Sequence, residues 1–142
     1  MESLDSIQKR KDLFSHYYDN FEKHLADERI AKASEFLWGS ISCLIDAIAI
    51  TYGKTLGTHS DTKYFIKWLS EETNQPNIYD LFKKAESLHA NFYHNFLDKE
   101  RLEIEREEMD RLIEQLGKIL EARIILMKSS FVEGTPAEES IL

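Results

Sequence analysis

Apolar and polar positions follow a helical period over almost the whole chain. The longest apolar stretch, residues 28–59, places Ile30, Ala33, Leu37, Ile41, Leu44, Ile45 and Ile48 at the i, i+3, i+4, i+7 spacing of one helix face. Phe36, Cys43, Ala47 and Ile50 add a second stripe, so this helix is predicted to be buried on two sides and to form the centre of a bundle. Ser40, Ser42 and Asp46 make it too polar for a membrane span. Between the two stripes runs a strip of small residues, Gly39, Ser42, Asp46, Ala49 and Gly53. The strip fits a tight helix crossing, a solvent-facing edge, or a dimer seam or shallow cleft in which Asp46 is the one charged group. A carboxylate buried there needs a partner.

The same reading carries through the rest of the chain. Leu4, Ile7, Phe14, Tyr18, Phe21 and Leu25 form the stripe of a first helix, residues 4–26. His16 and His24 lie on it two turns apart and are expected at the surface. The central helix ends near Gly53. Thr58 or Ser60 caps a third helix over residues 61–72, with Asp61 suited to its positive start, His59 just before the cap, and Tyr64, Phe65, Trp68 and Leu69 inward. Pro76 breaks the chain before a fourth helix, residues 77–96, whose apolar face is Ile78, Leu81, Phe82, Ala85, Leu88, Phe92 and Phe96. His89 sits at the edge of that face, and Asn91 and His94 on the outer side. The five steps from His89 to His94 turn their side chains about 140° apart, which keeps them from sharing a metal. A fifth helix, residues 98–128, carries a near-heptad stripe from Leu102 to Met127. Residues 131–142 read as a flexible tail. The expected architecture is all-α, an antiparallel bundle of about five helices within one domain, residues 1–130.

Composition narrows the function more than it identifies it. The 142 residues include 5 Gly and 2 Pro, as befits long helices with short turns. The net charge of −8 disfavours non-specific nucleic-acid binding, which runs on contacts from Lys and Arg to phosphate. Residues 98–115 hold eight acids and four bases, the pattern of a solvated face. Cys43 is the only cysteine, so neither an internal disulfide nor a cysteine metal cluster can form, and a reduced cytoplasmic setting is expected. The first residues, MESLDSIQKRKDLF, lack the apolar core of a signal peptide. Gly53-Lys54-Thr55 lacks P-loop spacing, HExxH is missing, and neither a metal nor a cofactor is expected.

The stretch SEFLWGSISCLIDAIAITYGKTLGTHSDTKYF, with LHANFYHNF further on, resembles HEPN domains (higher eukaryotes and prokaryotes nucleotide-binding) and is most similar to their archaeal PaREP-type branch. The resemblance spans residues 31–96. It implies a helical bundle that pairs with a second copy, often beside a small nucleotidyltransferase, and in many members a metal-independent, toxin-like ribonuclease. The ribonuclease motif is Arg, a polar residue, three more residues, then His. Here the segment runs His89-Ala90-Asn91-Phe92-Tyr93-His94: the final His is present, whereas His89 stands for Arg and Ala90 for the polar residue. Arg would have gripped phosphate with a permanent, two-pronged charge. On the ribonuclease reading His94 is the general acid or base, with Asn91 and Tyr93 holding phosphate or base and His89 offsetting charge. The departures favour a non-catalytic, homodimeric module associated with a partner protein, RNA or a nucleotide. A small-ligand binder with its cleft between the second and fourth helices is the third alternative.

Overall fold

The computed structural model describes residues 2–132, all helix and turn: α1 (Glu2–Ala26), α2 (Ile30–Thr51), α3 (His59–Glu72), α4 (Asn77–His94) and α5 (Lys99–Val132). The expected all-α bundle is what the chain forms. Residues 133–142, most of the expected tail, lie outside the described residues, and α5 carries the helix four residues past its predicted end.

α2 is the axis of the bundle. α1 packs along it most extensively, α4 and α5 cover two further sides, and α3 lies mainly on α4. Leu37, Ile41, Ile45 and Ile48 are fully buried, as are Ala47 and Ala49 on the flanking faces. By length and composition alone α2 could cross a membrane, with a mean hydropathy of 1.4. Its position inside the bundle accounts for that composition. Phe21 from α1, Phe82 from α4 and Leu102, Met109, Leu112 and Leu116 from α5 complete the core.

The turns follow local chemistry. Gly53 takes φ 72° after α2, a left-handed conformation that suits a residue without Cβ. Thr58 caps α3: its side chain accepts from the Asp61 N–H at 3.0 Å, and the Asp61 carboxylate accepts from the Thr58 N–H at 3.2 Å. This box makes His59 the first helical residue, not the residue before the cap. Gly39 leaves room for Tyr17 of α1, since a Cβ there would stand 3.2 Å from the Tyr17 ring. The small-residue strip is therefore in part a tight crossing. α1 and α5 are tied by side chains: the Tyr18 hydroxyl donates to Asp110 at 2.6 Å, and Arg106 donates to Glu22 at 2.7 Å. Burial, then the Asp110 bond, pushes the Tyr18 phenol up to about 12.

Five assignments to core or surface change. Tyr64 is 74% exposed, and Ile66 takes its place in the α3 core. Phe92 and Phe96 lie outside, while Asn91 is fully buried. The reason is geometric. Burial on α4 steps by three, through Phe82, Ala85, Leu88 and Asn91, and each step of three falls about 60° short of a full turn. The buried line thus slides round the helix and leaves Phe92 outside. The fifth change concerns His24, expected at the surface: its ring stacks on Phe36 at 5.1 Å, and its Nδ1 is buried without a hydrogen-bond partner among the described residues.

Candidate functional site

Three helices meet around the Trp38 indole. α2 supplies Glu35 and Trp38 one turn apart, α3 supplies His59 from its capped first turn, and α4 supplies Glu86 and His89 one turn apart. The His59 and His89 rings each lie 6.0 Å from the indole, and Phe82 packs beneath at 5.8 Å from Trp38. Each imidazole meets a carboxylate from another helix. His59 Nε2 is 2.6 Å from Glu86 Oε2, and His89 Nδ1 is 2.9 Å from Glu35 Oε2. Tyr93 stands edge-on to His89 at 5.3 Å. A carboxylate against one ring nitrogen fixes the orientation of an imidazole and leaves the other nitrogen for a reacting group. Two such pairs beside one aromatic platform form the arrangement best suited to acid–base chemistry among the described residues.

The residues singled out in the sequence separate in space. His89 and Tyr93 belong to this cluster. Asn91 does not: its Nδ2 donates to Ser34 Oγ at 2.7 Å and its Oδ1 accepts from the Leu97 N–H at 2.8 Å. Its nitrogen is committed to α2 and its oxygen to the α4–α5 turn, so the expectation that Asn91 holds phosphate is corrected to a structural role. His94, the last residue of α4, is exposed, and no hydrogen bond or ion pair orients it among the described residues. Beside it Phe92, Tyr93 and Phe96 are 38%, 69% and 56% exposed, an aromatic patch at the α4 end.

Asp46 sits elsewhere on α2, in a groove against α1 that begins at Glu35 and Trp38 and passes Gly39 and Ser42. Burial raises its carboxyl above the ordinary carboxylate range, and the charge of Arg10 works against that rise. Cys43 nearby is pushed up to about 11, chiefly by burial, so its thiol stays protonated. No set of three or more His, Cys, Asp or Glu side chains is arranged to hold a metal among the described residues.

Glu35, His59 and Glu86 were missed in the sequence. The capping box Thr58–Asp61 was the usable signal for His59, because it fixes which residue opens α3. Nothing local joins His89 to Glu35, which lie 54 positions apart.

No curated protein and no solved structure matches the chain. A family model does match, over residues 9–113, a span that includes both histidine–carboxylate pairs, Asp46 and the aromatic patch. By that match the chain belongs to the archaeal PaREP1/PaREP8 family.

Proposed function

We propose that this chain is a HEPN-like module that works in the cytoplasm by pairing with a second copy of itself through the end of α4, without a catalytic step of its own. The observation that carries this reading is the exposed Phe92, Tyr93 and Phe96, which a soluble chain ordinarily covers. His94, Asn95 and Lys99 border them and supply the polar rim of such an interface. A two-fold pairing needs a self-complementary surface, and a cluster of flat aromatic rings can pack on its own copy. The test is sedimentation equilibrium of the pure protein and of the Phe92→Ser, Phe96→Ser double variant. The wild type is expected to dimerise, with the dimer dissociation constant rising about 100-fold in the variant, the loss associated with removing central aromatic anchors. A monomeric wild type, or a dimer indifferent to the change, defeats the reading. A small nucleotidyltransferase is the second occupant to try on the same patch, since the resemblance to HEPN modules points to one.

A specific observation supports a second reading, a metal-independent ribonuclease. It is the presence of two carboxylate-oriented imidazoles, with His59 and His89 in place of His94. One imidazole takes the ribose 2′-hydroxyl proton and the other protonates the leaving oxygen, while Tyr93 stacks on a base. On this reading the protein cleaves single-stranded RNA in EDTA. His59→Gln and His89→Gln each reduce the rate by about 10²- to 10⁴-fold, and His94→Ala leaves it unchanged. No cleavage by the wild type ends the ribonuclease reading, whatever the outcome of the sedimentation test.

A further inference from the structure

The groove between α1 and α2 continues past Asp46 into a pocket of about 570 Å³, open to solvent and lined in part by residues 54–56 after α2. That volume lies within the range of small-molecule sites. Its lining carries three cations, Lys9, Arg10 and Lys54, and the hydroxyls of Ser6 and Thr55. None of the three cations forms an ion pair with a carboxylate among the described residues, although the chain as a whole is strongly acidic. The Lys54 ammonium lies instead over ring faces of an adjoining hollow, 4.6 Å from the centroid of Trp68 and 5.8 Å from that of Phe65, with Lys54 lining both that hollow and the pocket. Aromatic faces position the cation and leave its charge unneutralised. Asp46 is the one carboxylate in the lining.

This combination selects a ligand. Three cations match the charge of about −2 on a phosphate monoester, and the Arg10 guanidinium can fork two of its oxygens. Asp46 repels a bare anion but accepts hydrogen bonds from hydroxyls. The occupant must therefore present an anionic head and, a few bonds away, hydroxyl donors. We propose that the α1–α2 pocket binds a small phosphate ester bearing neighbouring hydroxyls, such as a sugar phosphate, with Arg10, Lys9 and Lys54 on the phosphate and Asp46 on the hydroxyls. The pocket stands apart from the aromatic patch on α4 and from the two imidazoles, so neither reading of those sites is required for it.

Calorimetric titration of the full chain with ribose 5-phosphate, inorganic phosphate and ribose tests the proposal, in low salt because exposed charges are screened at higher ionic strength. Ribose 5-phosphate is expected to bind at least about tenfold more tightly than either fragment. Arg10→Ala with Lys54→Ala weakens it about tenfold or more, and the exposure of both side chains makes the variant a fair test of binding rather than of folding. Asp46→Asn removes most of the preference for the ester over inorganic phosphate. A fourth titrant, a short single-stranded oligoribonucleotide, separates a monomeric-ester site from a strand-binding track that shares the same phosphate chemistry. Binding of the oligonucleotide without binding of the monomeric ester overturns the proposal. So does an absence of heat with ribose 5-phosphate at millimolar concentration, or equal affinity in the Arg10, Lys54 variant.

Discussion

Replacing Asn91 with alanine is expected to lower the stability of this bundle by about 3 kcal/mol and its melting temperature by roughly 10 °C. The side chain is fully buried and joins three pieces of chain. Its amide nitrogen donates to Ser34 on α2, and its amide oxygen receives the Leu97 N–H from the turn that leads into α5. Its own carbonyl receives the Asn95 N–H at 2.7 Å, with Asn95 in the left-handed conformation that ends α4. Alanine keeps that last bond and loses the other two. The Leu97 N–H is then buried without an acceptor, a penalty of about 1–3 kcal/mol, and the vacated volume adds to it. Ser34 loses one donor but keeps its own bond to the Ile30 carbonyl at 2.9 Å, so its share is smaller. Asn95→Gly serves as the control in urea denaturation, because glycine accepts φ 48° and the substitution touches neither amide bond. A loss of under about 1 kcal/mol for Asn91→Ala contradicts the bonding described, since even one stranded buried amide exceeds that.

Asn91 also marks where the sequence stopped being readable. The two stripes of α2 located the central helix because α2 is covered on nearly all sides, so any period-matched apolar residue found a neighbour. The Leu102–Met127 stripe of α5 was legible for the same reason. At the end of α4 the buried line slides by steps of three, and a face drawn through Ile78, Leu81, Phe82, Ala85 and Leu88 then extrapolates to Phe92 and Phe96. Those two rings finish exposed, and the polar Asn91 finishes inside. A buried amide can be recognised only with its partners in view, and Ser34 lies 57 positions away. Tyr64 failed in a related way: α3 buries only the narrow strip Phe65, Ile66, Leu69 and Ser70, and its neighbouring aromatic is left in solvent. Of the candidate site, His89 and Tyr93 were visible as chemically distinctive residues on α4, while Asp46, equally distinctive, falls in the separate α1–α2 groove. The companions Glu35 and Glu86 looked like ordinary helix-surface residues and His59 like a residue just before a cap, and only the packing of α3 and α4 against α2 brings them to the Trp38 ring.

Phe82 and Phe92 lie on the same helix and are predicted to behave as opposites. Phe82 is fully buried, 5.8 Å from the ring of Trp38 and 6.4 Å from that of His59. Phe82→Ala is expected to remove about 4 kcal/mol of stability, combining lost burial with a cavity that α2 and α4 can close only in part. Phe92→Ala should change monomer stability by less than about 0.5 kcal/mol, because its ring is exposed and its removal opens no cavity. The two substitutions also part at the site. Loss of the Phe82 ring takes away the surface on which both His59 and Trp38 rest, so the His59–Glu86 contact loosens even in molecules that remain folded. Imidazole proton resonances of His59 should broaden or shift in Phe82→Ala and stay in place in Phe92→Ala, while dimerisation responds in the reverse order. Phe82→Leu refines the test. It restores much of the buried volume without the aromatic faces, so it should recover most of the stability and leave the His59 resonance displaced. If His59 returned to its wild-type position in Phe82→Leu, the ring contact would be incidental, and the capping box of Thr58 and Asp61 alone would hold that imidazole against Glu86.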